Sequence, residues 1–258
     1  MLIGQRLFKA RPDLVQHRYR LGQQLSEALN GTVAYGPFTG TRLALMNHWS
    51  AADRGGMLLG MYEKEILEQL EILSRGREVL IDVGAADGYY AVGSLASGMF
   101  ESAICFEVNP DGQEMIRQQA KLNGVCQQVT VLGEANTNIA HLIRTNLSAD
   151  ASRCVVLMDI EGGEFELLND SFLAEFGDAS LIVEIHDFLN GQEGALDLLL
   201  DRLSGYYDCK FVEQGARNPN VFPELREWSD DDRWALCSES RSNVMRWLVC
   251  TPRSGNDY

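Results

Sequence analysis

The chain has 258 residues, enough for one large domain or one domain with an appendage. Apolar residues at 45% and charged residues at 23% exclude a wholly disordered chain. No run approaches the roughly 18 uninterrupted apolar residues of a membrane span. The net charge of −15 repels phosphate backbones and speaks against nucleic acid as a partner.

The charge is uneven. Residues 1–77 carry ten basic and seven acidic side chains, and residues 78–258 carry twelve and thirty. The six cysteines form no CxxC pair, which excludes a zinc knuckle or a redox dithiol of that spacing. Cys105, Cys154, Cys209 and Cys250 fall inside apolar runs and read as small hydrophobes in a reducing compartment. The first residues, MLIGQRLFKARPDL, hold neither a long apolar core nor a small-residue cleavage site, so a cytoplasmic location is expected.

In chain order, Pro12 and Asp13 open a helical pattern carried by Leu14, Leu21, Leu25 and Leu29 and stopped by Asn30-Gly31. Two short extended pieces follow, Thr32–Tyr35 and Thr41–Met46, separated by Gly36-Pro37 and Thr39-Gly40. A second helix is expected over 62–73, with Ile66, Leu67, Leu70 and Leu73 on one face.

From Arg77 onward, short apolar runs alternate with helical patterns. The runs are 78–83, 102–108, 129–132, 154–160 and 180–185; the helices between and after them are 89–97, 112–123, 138–145, 164–176 and 195–204. Continuous apolar strands alternating with helices predict a parallel sheet buried on both faces, in a Rossmann-like three-layer α/β sandwich. Two further runs, 209–214 and 245–252, predict a sixth strand and an antiparallel seventh; 215–244 is polar, acidic and irregular. The organisation expected is an N-terminal cap over 1–77 and a catalytic domain over 78–258, because residues 1–77 hold too little core to fold alone.

In such a sheet, ligands sit beyond the carboxyl ends of the strands. Every one of the first five runs delivers a carboxylate there: Asp82 and Asp87, Glu107, Glu134, Asp159 and Glu161, and Glu184 with Asp187. The first loop, Asp82-Val83-Gly84-Ala85-Ala86-Asp87-Gly88, is small enough for close backbone approach to a ligand. Its spacing departs from the G-x-G-x-x-G dinucleotide fingerprint, and two carboxylates are awkward beside a pyrophosphate. They suit a cofactor with a cationic amino group and no phosphate, S-adenosylmethionine. Asp82, Gly84, Ala86 and Gly88 are the loop positions expected to hold it. Glu107 is placed to accept from the ribose hydroxyls, and Glu134 from the adenine amino group.

These residues resemble class I S-adenosylmethionine-dependent methyltransferases, and within them the FkbM-like group. The resemblance rests on IDVGAADGYYAVG (81–93), FEVNP (106–110), MDIEGGEFELL (158–168) and IVEIHDF (182–188). YGPFTG (35–40) and LLGMYEKE (58–65) are similar to a lead-in of some members. The resemblance implies a seven-stranded sheet with an antiparallel last strand, and O-methylation of a hydroxyl on a sugar-like or natural-product molecule. Ala86 stands where that group often carries glycine.

A hydroxyl acceptor benefits from a base. His186 is the favoured base, with Glu184 on the same side of an extended strand and Asp159 nearby at the fourth tip. Alternatively these three hold a divalent metal, magnesium or manganese, that lowers the acceptor's pKa. Glu161 and Glu164 either cap the next helix or meet the substrate. Tyr89 or Tyr90 can line the methionine pocket, and Arg217, Trp228, Trp234 and Arg241 can form a lid. Two other functions remain open: a nicotinamide-dependent oxidoreductase, and a non-catalytic protein that binds S-adenosylmethionine.

Overall fold

The computed structural model describes residues 12–44, 51–189, 193–241 and 243–253. The N-terminal residues 1–11 and the end of the second extended piece, Leu45 and Met46, lie outside them.

Among the described residues, three helices precede the sheet: α1 (Pro12–Ala28), α2 (Arg54–Leu58) and α3 (Lys64–Leu73). The alternating part runs β1 (Val79–Val83), α4 (Tyr89–Ala96), β2 (Ser102–Phe106), α5 (Pro110–Leu122), β3 (Val129–Leu132), α6 (Ile139–Asn146) and β4 (Cys154–Met158). It continues with α7 (Glu164–Leu167), α8 (Asp170–Phe176), β5 (Ser180–Glu184), α9 (Ala195–Ser204), β6 (Tyr207–Glu213), α10 (Asp230–Cys237) and β7 (Arg246–Pro252). All seven expected strands form. The helix expected over 164–176 is two, because the Asn169 side chain accepts from Phe172 N–H and caps a fresh start. The tract over 215–244 is less irregular than its composition suggests: Ser229 caps α10 by accepting from Asp232 N–H. Of the two early extended pieces, the described residues form an antiparallel bridge between Thr32 and Arg42.

The sheet order is β3-β2-β1-β4-β5-β7-β6. β7 runs antiparallel to both its neighbours and the rest are parallel, as expected of a Rossmann-like sheet. β1, β4 and β5 are buried along their whole lengths, which is why they read as unbroken apolar runs. Alternate residues feed two cores. On one face Leu80, Cys105, Val155 and Ile182 join Leu21, Leu25 and Phe38 of the N-terminal segment and Leu236 of α10. On the other, Ile81, Phe106, Val156 and Val183 pack against α6, α8 and α9 through Ile143, Phe172 and Leu203. The described residues between 12 and 77 therefore share one core with the sheet. Burying a side chain such as Leu25 contributes about 1.5–3 kcal/mol, and here that burial depends on the sheet. No helix among the described residues is long and apolar enough to cross a membrane.

Candidate active site at the strand tips

Chain connections leave β1 for β2 on one side, while β4 lies on its other side. The crevice between the tips of β1 and β4 is thus the topological switch point. A cavity of about 640 Å³ opens there, within the range of small-molecule sites. Its walls come from the β1 loop, the tips of β2 and β4, the loop after β3, and Met57, Tyr62 and Glu63 of the N-terminal segment.

Two glycines make the crevice possible. Gly84 has φ +88°, and a Cβ there would meet the Asp159 carbonyl oxygen at 1.9 Å. Gly112, in the first turn of α5, lies so close that a Cβ would meet both the Ala86 carbonyl oxygen and the Glu107 side chain at 2.8 Å. Ala86 itself has φ +48°, the left-handed region that glycine occupies without penalty. That conformation turns its N–H onto Glu107: Oε2 accepts from Ala86 N at 2.8 Å, and Oε1 accepts from Asn109 N at 2.7 Å. Glu107 is thus locked to the wall by two backbone donors.

Of the loop residues expected to hold a cofactor, Gly84 and Ala86 line the cavity with Glu107 and Glu134, whereas Asp82 and Gly88 do not. Gly88 turns the chain into α4 with φ +83° and packs on Ile116. Asp82 is 1% exposed, and among the described residues neither carboxylate oxygen has a hydrogen-bond partner in good geometry. Burial pushes it up to about 7; the Ala91 backbone N–H in the first turn of α4 pulls it part of the way back. Asp82 underlies the loop and does not face the ligand space. Tyr89 and Tyr90 both line the cavity; the Tyr90 hydroxyl donates to Glu63, and the Tyr89 hydroxyl has no hydrogen-bond partner among the described residues.

The fourth and fifth tips meet in a second cluster. His186 is 2% exposed and sits among four carboxylates. Its Nε2 lies 3.4 Å from Glu184, 3.7 Å from Asp159 and 3.9 Å from Glu161, and its Nδ1 is 3.5 Å from Glu164. Desolvation acts against the charged ring, but hydrogen bonding and charge from Glu164 and Glu184 outweigh it and push His186 up to about 10. Asp159 is held well above the usual carboxylate range, by desolvation first and then by Glu184. Glu164 ties the two tips together: Oε1 accepts from His186 N at 2.7 Å and Oε2 from Gly162 N at 2.9 Å. Of the three residues expected to carry the chemistry, Asp159 lines the cavity, while His186 and Glu184 stand behind it. One ligand atom from each of the three falls within 4.8 Å of the others.

The 215–244 tract braces this cluster from outside the cavity; none of Arg217, Trp228, Trp234 and Arg241 lines the wall. Arg241 donates from Nη1 to Glu184 at 3.1 Å, and from Nη2 to Glu63. Arg217 bonds Glu239 and Glu65. Sequence reasoning singled out both arginines, but not Glu63 or Glu239; nothing local marks those two, since only the fold brings them to the arginines.

No family model matches the chain, and no curated protein sequence does. Several solved structures share part of the architecture. An O-methyltransferase from Bacillus cereus in complex with SAH is 10% identical, with TM-score 0.47, over 95% of this chain and 93% of that one. The B. subtilis M1A22 tRNA methyltransferase TrmK is 12% identical, with TM-score 0.45, over 71% of this chain and 64% of that one, so the chain spans less than two thirds of its length. M. jannaschii TYW2 in complex with AdoMet is 14% identical, with TM-score 0.44, over 75% of both chains. These likenesses are too distant to carry a functional conclusion. The sheet order and the strand-tip cavity by themselves define a Rossmann-like α/β protein with an open cavity at its switch point.

Proposed function

We propose that the chain is an S-adenosylmethionine-dependent methyltransferase of the FkbM-like kind, acting on a hydroxyl of a small sugar-like or natural-product acceptor. The observation that carries this reading is the charge of the cavity wall. Among the described residues, seven carboxylates line it (Glu63, Asp87, Glu107, Glu134, Asp159, Glu161 and Glu166), and no lysine, arginine or histidine does. A pyrophosphate cofactor or a nucleic-acid backbone would meet only repulsion there. A cofactor bearing an ammonium and a sulfonium meets attraction.

Gly84, Ala86 and Glu107 would hold the cofactor, with Glu107 kept in place by its two backbone donors and using its remaining lone pairs for the ribose hydroxyls. Glu134 would take the adenine amino group. When bound, S-adenosylmethionine supplies an electrophilic methyl group. The chain's task is then to align the acceptor oxygen at about 3–3.5 Å, exclude water and remove one proton. Asp159 takes that proton: it faces the cavity, and its raised basicity suits it to a weakly acidic hydroxyl. His186, charged and enclosed, acts as a positioning residue with Glu184, in place of the neutral-imidazole base expected from the sequence.

A metal-assisted reading has one observation in its favour, the convergence of Asp159, Glu184 and His186. Two carboxylates and an imidazole fit magnesium or manganese, and the ion would lower the pKa of the acceptor hydroxyl. Binding would require His186 to release its proton.

The test is titration calorimetry with S-adenosylmethionine and its demethylated product, followed by transfer of an isotopically labelled methyl group to a panel of hydroxyl acceptors. Saturable binding and a labelled ether product are expected. Absence of binding, or tighter binding of NADH, overturns the reading; binding without transfer to any acceptor favours a non-catalytic protein. Turnover unchanged after exhaustive chelation removes the metal.

A further inference from the structure

We propose that Cys209 and Cys250 form a reversible cross-strand disulfide at the β6 edge of the sheet, made by thiol–disulfide exchange with a small disulfide of the glutathione kind.

The sequence reading treats both as small hydrophobes in a reducing compartment, and the fold sets them side by side. β6 is an edge strand and, among the described residues, pairs only with β7. Their register sets Cys209 directly opposite Cys250. Directly opposed antiparallel residues have Cα atoms about 4.5–5.5 Å apart, inside the window of about 4.4–6.8 Å that a disulfide requires. The two sulfur atoms lie 2.7 Å apart, closer than two unbonded sulfurs rest comfortably, so little movement is needed to join them. The remaining cysteines lack this arrangement. Cys105 stands opposite Asp82 and Val131, Cys154 stands opposite Val79, Cys237 is buried in α10, and Cys126 is exposed in the turn before β3.

The pair is also asymmetric in the way exchange needs. Cys209 is exposed and Cys250 is fully buried. A hydrogen bond from Cys250 lowers the Cys209 thiol, while the same contact and burial raise Cys250. The thiolate is the nucleophile, so the first step falls to Cys209. Its sulfur attacks one sulfur of the small disulfide; that S–S bond breaks, and one small thiol leaves. Cys250 then gives up its proton, attacks the Cys209 sulfur of the mixed disulfide and releases the second small thiol. Two protein thiols are oxidised and one small disulfide is reduced to two thiols, with no other oxidant.

The closed loop contains the whole tract between β6 and β7, including Arg217, Glu239 and Arg241. The bond would therefore staple both ends of the tract that braces the Glu184 tip. This inference is independent of the methyl-transfer reading.

The test uses the full chain, incubated with oxidised glutathione, quenched in acid, alkylated and mapped without reduction. A Cys209–Cys250 linked peptide is expected, with mass lower by two hydrogens, while Cys126 keeps a glutathione adduct because it has no opposed thiol. Dithiothreitol should restore both thiols. Cys250→Ser should trap glutathione on Cys209. Cys209→Ala, at an exposed position that folding tolerates, should leave Cys250 unmodified. A wild-type protein that retains glutathione on Cys209, or that shows Cys209 and Cys250 as free alkylated thiols once Cys126 has reacted, overturns the proposal.

Discussion

The first two strand tips and the fourth and fifth solve different problems with the same residue type. At β1 and β2, the carboxylate of Glu107 is satisfied by backbone N–H groups and still faces open space. At β4 and β5, the carboxylates surround a buried imidazole and are tied by Arg241 into a closed network. Carboxylates satisfied by backbone stay available to a ligand. Those satisfied by side-chain charges of opposite sign are spent on one another, except for Asp159 and the exposed Glu161, which reach the cavity. The contrast teaches that an acid at a strand tip is read by its partners and not by its position.

The sharpest way to break this comparison is Asp159→Asn. It should lower turnover by roughly 10²–10⁴-fold and leave affinity for S-adenosylmethionine near normal in calorimetry. Turnover should rise with pH through the raised Asp159 ionisation and fall again near pH 10, where His186 loses its proton. A profile that stays flat through pH 10 would remove the imidazolium from the positioning role.

Asp82 tests the first half from below. Its carboxyl is raised to about 7 in the fold against about 3.9 unfolded, so the native state binds more protons between those values. Stability therefore falls as pH rises from about 4 to about 7, and the full penalty stands above pH 7. Asp82→Asn should stabilise the chain by about 2–4 kcal/mol at pH 8 and by almost nothing at pH 4. Denaturant melts at the two pH values check this; an equal gain at both would mean that Asp82 is not held protonated.

Glu107→Ala removes a charge-assisted contact of roughly 1.5–3 kcal/mol and should weaken S-adenosylmethionine binding about ten- to a hundredfold. Calorimetry with unchanged affinity would take Glu107 out of the ribose role. The smallest effect belongs to Glu161→Gln. That side chain is 66% exposed and 3.9 Å from His186, so its pair is worth at most about 1 kcal/mol. Turnover should change by less than about fivefold; a larger loss would place the cavity rim inside the catalytic cluster.

Much of the architecture is legible in the residues themselves. The runs at 78–83, 154–160 and 180–185 are apolar without alternation because parallel central strands are covered on both faces, and a local pattern suffices to show it. The grouping of carboxylates at the strand ends follows from the same pattern. The loop at 84–88 is legible because a close approach leaves no room for side chains, as at Gly84.

What the sequence could not show is which of those acids face the cavity and which face each other. Asp82 and Glu107 look alike as strand-end carboxylates, yet one is buried under α4 and the other lines the wall. His186 reads as a free base until the fold surrounds it with Glu164 and Glu184, reversing its expected charge. Glu63 and Arg241 are 178 positions apart, and Cys209 and Cys250 are 41 apart. Composition and periodicity act over a few residues and fix elements and their faces. Ionisation, ion pairing and thiol pairing depend on distances of a few ångströms between distant parts of the chain, and only the packed tertiary structure sets those.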